Sequence, residues 1–167
     1  NNTAVGYETL RVNTTGVNNT AVGRDALKAN TTGGSNTAVG YKSLNTLTSG
    51  NYNTAIGFES LEKLASGANY NTALGFRAGE EITSGQYNIA IGGNALDTST
   101  TASYNTGIGH AALTDLTTGE QNTAVGYQVG TNITTAEKNT FVGTNSGFSV
   151  TTGDENTGIG QRALYGV

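Results

Sequence analysis

The motif Asn-Thr-Ala-Val-Gly recurs ten times, with small changes, in 167 residues. The copies begin at Asn2, Asn19, Asn36, Asn53, Asn71, Asn88, Asn105, Asn122, Asn139 and Asn156, and eight of the nine intervals are 17 residues while one is 18. So short and strict a period means one structural unit stacked on the next, each burying its apolar side against its neighbours. Seventeen residues are too few for a helix–turn–helix unit, and a β-branched, Gly-rich motif disfavours helix. The predicted fold is therefore all-β. It is a parallel β-solenoid or β-roll of ten coils of about 17 residues, forming a single repeat domain over 1–167. Each coil is expected to hold two or three short strands joined by tight turns. At an inter-strand spacing of roughly 4.8 Å, ten coils would make a rod of roughly 48 Å.

Numbered from the Asn, position 1 is Asn in all ten copies, position 2 is Thr except at Ile89, and position 3 is Ala except at Gly107, Phe141 and Gly158. Position 4 is always Val, Ile or Leu, and position 5 is always Gly. The run alternates as a strand does, with positions 2 and 4 on one face and position 3 on the other. The exchange of Thr for Ile89 predicts that positions 2 and 4 face inward, position 4 forming an aliphatic spine. Stacking like on like predicts an amide ladder through the ten Asn residues. The Gly predicts a bend. Position 9 is Leu in most coils and Gly at Gly79, Gly130 and Gly147. Another apolar residue often follows at position 12, as at Leu47, Leu64, Ile82, Leu116, Ile133 and Val150. A Thr/Ser-Gly turn closes the coil. The single extra residue lies between Gly67 and Asn71, in that turn region.

Composition narrows the function. Charged residues are only 12% of the chain, so it lacks the charge-rich signature of disorder. A net charge of −4 argues against a nucleic-acid partner, which requires a basic surface. No apolar run approaches membrane-spanning length, so membrane insertion is not expected. Without Cys there is neither a disulfide framework nor a thiolate metal site. Starting on a repeat without Met and stopping just after Leu164, the chain reads as a piece of a longer fibre protein. Its core looks thin, and thin cores are commonly supported by assembly. A fibrous homo-oligomer is expected, with a trimer favoured.

The ten motifs, the small-Leu pairs that follow them and the Thr-Thr-Gly turns resemble the repeats of phage tail-fibre-like proteins, over essentially the whole chain. Those proteins often end in a self-cleaving chaperone domain that drives trimerisation. The motif is also similar to the Asn-Ser-Val-Ala-Ile-Gly motif of trimeric autotransporter adhesin heads, which are left-handed parallel β-rolls assembled as trimers. Both resemblances imply an extracellular, cell-surface or virion fibre that assembles with itself. Neither implies a catalytic residue.

Two variable columns are candidates for contact with a glycan or another chain. Position 17 is Tyr in four successive coils, at Tyr52, Tyr70, Tyr87 and Tyr104. Position 6 carries Tyr41, Phe58 and Phe76, with Tyr7, His110 and Tyr127 in other coils. Aromatic rings with a polar handle suit sugar-contacting surfaces, and they equally suit interfaces that exclude water. Polar residues elsewhere in column 17 mark it as a surface column. Strict alternation would place columns 17 and 6 on the face of positions 2 and 4, so alternation is expected to fail at the corners. Glu8, Asp25, Lys42, Glu59 and Arg77 at position 7 read as paired register support. Glu120, Glu137 and Asp154 read as a solvated acidic edge rather than a calcium site. His110 is the only His, so neither a triad nor a zinc site is expected, and no cofactor is implied. The Asn-X-Thr acceptor patterns follow from an Asn/Thr-rich composition.

The leading expectation is a structural or adhesive fibre segment, a rigid spacer that can contact a receptor or glycan, and not an enzyme. An ice-binding solenoid is the first alternative, because Thr recurs at fixed spacing. With the most regular Thr column inward, that alternative ranks low. A polysaccharide-degrading solenoid ranks lower, because no column pairs carboxylates across a groove.

Overall fold

The computed structural model describes residues 1–166. Ten three-residue strands follow one another: β1 (Thr3–Val5), β2 (Thr20–Val22), β3 (Thr37–Val39), β4 (Thr54–Ile56), β5 (Thr72–Leu74), β6 (Ile89–Ile91), β7 (Thr106–Ile108), β8 (Thr123–Val125), β9 (Thr140–Val142) and β10 (Thr157–Ile159). They form one parallel sheet in sequence order, and like positions pair with like throughout, as in Ala21 opposite Ala38. The fold is a parallel β-solenoid with turns of about 17 residues, and no helix occurs among the described residues. Each coil has one strand rather than two or three. The remaining sides are turns and bends that hydrogen-bond from coil to coil without being strands.

Those corners work through left-handed backbone. Positions 7 and 17 have positive φ in every coil that reaches them, for example Asp25 at 60° and Tyr70 at 60°. Position 9 does as well, from Leu27 at 47° to Gly147 at 65°. Alternating the backbone hand turns successive N–H groups toward opposite neighbours. The Asp25 N–H donates back to Tyr7 O at 2.9 Å, and the Leu27 N–H donates forward to Ser43 O at 3.1 Å. A left-handed L-residue costs about 1–2 kcal/mol. The inter-coil bond it allows returns about 0.5–1.5 kcal/mol and avoids an orphaned peptide group.

The inward side of the strand is the opposite of the sequence expectation. Ala21, Ala38, Ala55, Ala73 and Ala124, all at position 3, have no exposure. Position 2 is exposed or half-buried in every strand, and Val5, Ile56, Leu74, Val142 and Ile159 at position 4 are exposed. The aliphatic spine is therefore on the surface. Ile89 at position 2 is 38% exposed, so its apolar character did not mark an inward column. The physical reason is space. The coil closes tightly enough that a small residue fits under the strand when position 9 is Leu, as Leu27, Leu44, Leu61, Leu96 and Leu113 at position 9 and Leu47, Leu64 and Leu116 at position 12 fill the centre.

The core tolerates exchange when volume is conserved. Where position 9 is Gly, position 12 is β-branched: Gly79 with Ile82, Gly130 with Ile133, Gly147 with Val150. A Cβ on Gly79 would lie 3.0 Å from both Ile82 Cδ1 and Leu61 Cδ2, so neighbours already fill the missing side chain. Phe141 replaces Ala at position 3 and is fully buried. It lies over Gly147, where a Cβ would come within 2.6 Å of the ring. Large for small at one position is balanced by small for large at the other.

The position 1 amides link all ten coils. Each Asn Oδ1 accepts the backbone N–H of the next Asn, from Asn19 to Asn2 at 2.9 Å through Asn156 to Asn139 at 2.9 Å. The Nδ2 group crosses the coil and donates to the closing turn, as from Asn36 to Gly50 O at 2.8 Å and from Asn105 to Gly119 O at 2.9 Å. These buried amides join strand and turn within the period as well as coil to coil. The extra residue is absorbed at Ser66–Gly67. Gly67 is exposed with φ 83°, and Ala68 O takes the place of the turn carbonyl that receives Asn53 Nδ2, at 2.9 Å.

Candidate functional site: the outward sheet face and its aromatic margins

Once positions 2 and 4 face outward, no break in alternation is needed. Positions 17, 2, 4 and 6 have the same parity and are the exposed columns. The expected failure at the corners is replaced by one continuous face: aromatic or polar at 17, Thr at 2, aliphatic at 4, aromatic or polar at 6. The inward positions 1, 3 and 5 are Asn, small and Gly. At position 5 the need for Gly is explicit. Gly57 has φ 141°, and a Cβ there would lie 2.1 Å from Gly75 O. At Gly109, with φ 128°, it would lie 2.1 Å from Gly126 O.

No charged residue occupies position 2, 3 or 4 in any coil. The central stripe is thus an uncharged array of Thr and Val/Ile/Leu repeated at the inter-strand spacing. The other regular Thr column, at position 13, is engaged internally. Thr31 Oγ1 donates to Thr48 O at 3.0 Å and Thr117 Oγ1 to Thr134 O at 3.0 Å. Position 2 supplies the Thr column on the sheet face, while position 14 exposes a mixed Thr and Ser column at the turn, including Thr32, Thr101 and Thr118.

Both aromatic columns are stacked ladders. At position 17, Tyr52–Tyr70, Tyr70–Tyr87 and Tyr87–Tyr104 have ring centroids 5.0, 5.0 and 5.1 Å apart and interplanar angles of 8, 9 and 4°. All four rings are exposed. At position 6, Tyr41–Phe58 and Phe58–Phe76 are stacked at 5.1 and 5.4 Å. That ladder stops at Gly93 and resumes with His110–Tyr127 at 5.6 Å. Within the Tyr ladder, Tyr70 and Tyr87 have both faces against neighbouring rings, and Tyr52 and Tyr104 each stack on one ring, with Ser35 and Gln121 next in the column.

Apart from Arg24 at position 6 and Lys138 and Glu155 at position 17, on the margins of this face, the paired charged residues lie on a different side. Lys28 bridges Glu8 at 2.5 Å and Asp25 at 3.2 Å, Lys42 bridges Glu62 at 3.0 Å, Lys63 pairs with Glu81, and Arg77 with Glu80. Hydrogen bonding to Glu81 raises the Lys63 ammonium above its ordinary value, and hydrogen bonding to Glu62 does the same for Lys42. Glu59, Glu62 and Glu80 form the one carboxylate cluster tight enough to hold a metal among the described residues. Lys42 and Arg77 lie against it and offset two of its three charges. Glu120, Glu137 and Asp154 do not converge in that way; the Glu137 N–H instead donates to Asp154 Oδ1 at 2.8 Å. His110 stacks on Tyr127. No helix among the described residues is long and apolar enough to cross a membrane. Comparison with protein-family models, curated proteins and solved structures found no match.

Proposed function

We propose that this chain is a rigid segment of an extracellular fibre, at a cell surface or on a virion, in which copies of the chain associate through the outward sheet face. The observation that carries the reading is that face. A contiguous apolar and uncharged stripe of this size marks an interaction surface. Ten strands at about 4.8 Å, and a face about 17 Å wide, give about 800 Å² per chain, the area of a standard stable interface. A second copy has the same period, so its Thr and aliphatic rows meet these in register along the whole rod. Three chains around one axis is the favoured assembly. The aromatic ladders then form the margins of the contact. A sugar stacks most readily on the rings that end a ladder, so glycan contact by this mode falls to Tyr52 and Tyr104 in column 17 and to Tyr41 and Phe76 in column 6.

Sedimentation and electron microscopy test the reading. An elongated oligomer is expected, and the double variant Ile56→Lys with Ile108→Lys should dissociate it by placing charge in the stripe. A wild-type chain that stays monomeric at every concentration contradicts self-association. Ice binding is the second reading, and its standing changes with the geometry. The regular Thr column is outward and in register, as an ice-binding face requires. Thermal hysteresis from a wild-type monomer would favour it over the fibre.

A further inference from the structure

We infer that the Tyr52–Tyr70–Tyr87–Tyr104 column is an oxidative cross-linking site, at which phenols of successive coils couple to give dityrosine within one chain. Three observations converge. The four rings are adjacent along the ladder, centroids 5.0–5.1 Å apart, and within 9° of parallel. They are about half exposed, so a solvent-borne oxidant reaches them. They also occupy a left-handed position, with φ from 57 to 61°, where Asn or Gly would be less strained. Stacking, worth about 0.5–1.5 kcal/mol per pair, offsets that strain and holds each phenol beside the next.

The other four tyrosines provide an internal contrast. Tyr41 stacks on Phe58, Tyr127 on His110 and Tyr165 on Phe148, and Tyr7 lies beneath the Arg24 guanidinium at 5.8 Å. None of these partners is a phenol. Only column 17 therefore presents like rings in a coupling geometry, and proximity converts an encounter between two radicals into a neighbour reaction.

The chemistry needs two electrons per link. Two neighbouring phenols each lose one electron and one proton to a one-electron oxidant, giving two tyrosyl radicals. A carbon–carbon bond forms between ring carbons ortho to the oxygens, and the two ring hydrogens migrate to oxygen, restoring both phenols. With a haem peroxidase, one hydrogen peroxide takes up the two electrons and two protons and becomes two waters. Each link removes two hydrogen atoms from the chain and joins one coil covalently to the next. The paired arrangement Tyr52–Tyr70 and Tyr87–Tyr104 accommodates two such links.

The test is treatment of the intact chain with peroxidase and peroxide, followed by dityrosine fluorescence, denaturing electrophoresis and peptide mapping by mass. The expected product has the mobility of a single chain, has lost two hydrogens per link, and carries its links among Tyr52, Tyr70, Tyr87 and Tyr104 at a yield independent of protein concentration. In Tyr70→Phe with Tyr87→Phe the rings still stack while the remaining phenols stand three coils apart, and within-chain links should disappear. Urea-unfolded chain should lose the site preference. Links found only between chains, links mapping to Tyr7, Tyr41, Tyr127 or Tyr165, or an unchanged yield in the double variant would overturn the inference.

Discussion

The first five coils and the last five share one backbone and differ in what they show on the flank beside the turn. Coils 1–5 carry Glu8, Asp25, Lys42, Glu59 and Arg77 at position 7; Glu8, Lys42 and Glu59 join ion pairs that cross between coils, and Asp25 and Arg77 pair within their own coil. Coils 6–9 carry Asn94, Ala111, Gln128 and Asn145 at the same position, and only coil 10 returns to a charge, with Arg162. Yet φ at this position is 53° at Lys42 and 55° at Asn145, and the inter-coil bond it serves is 3.0 Å in both. The charged flank is therefore not what sets the coil. What both halves share is inward: the Asn ladder, the small residue under the strand and the Gly bend. The core varies where exchanges compensate, as with Phe141 and Gly147, and where position 12 is a buried polar residue, Asn30 in the first half and Ser99 in the second.

Breaking a shared element should hurt either half equally. Gly57→Ala and Gly109→Ala both place a Cβ against the next coil's carbonyl at a backbone angle unsuited to Ala. Each should destabilise by about 4 kcal/mol or prevent folding, measured by urea denaturation. A mild effect in one half alone would break the equivalence. Next in size is the element specific to the second half. Phe141→Ala should cost about 3–4 kcal/mol through the cavity left over Gly147. Adding Gly147→Leu should restore part of that loss, a coupling readable in a double-mutant cycle.

Asn53→Ala and Asn105→Ala should each cost about 3 kcal/mol, because a buried N–H and a turn carbonyl both lose their partner. The smallest effect is confined to the first half. Lys42→Ala and Lys63→Ala should each leave the urea midpoint almost unchanged, since the pairs are partly exposed and screened. Both ammonium groups are raised by their carboxylate partners. Their contribution is thus complete below the unfolded Lys value of about 10.4 and is lost as pH climbs through the raised folded values. Alkaline titration should therefore loosen amide protection in coils 3–5 before coils 6–9, by a small margin.

Much of this was legible in the sequence because a strict period leaves few architectures. The ten-coil solenoid and the stacking of like positions followed from spacing alone. Which face of the strand is buried did not, because Val and Ile suit an outward pleat as well as a core, and Ala is a filler only if the coil is known to be narrow. The decisive clue was present. Tyr52 and its column share parity with Thr54 and Ile56, and other coils place Lys138 and Glu155 in that column. Polar residues at the margin of a face mark the whole face as outward. The left-handed corners were hidden because Leu at position 9 reads as core and carries no sign of its φ.

The central claim is the direction of the strand, and the same hydroxyl placed on adjacent positions tests it most directly. Thermal and urea denaturation of Ala124→Thr and Val125→Thr should separate widely. Ala124 is fully buried, so the added bulk and hydroxyl should destabilise by about 2–3 kcal/mol. Val125 lies on the outward face, and its near-isosteric exchange should shift stability by no more than about 0.5 kcal/mol. The reverse order, with Val125→Thr the damaging change and Ala124→Thr tolerated, would contradict the account.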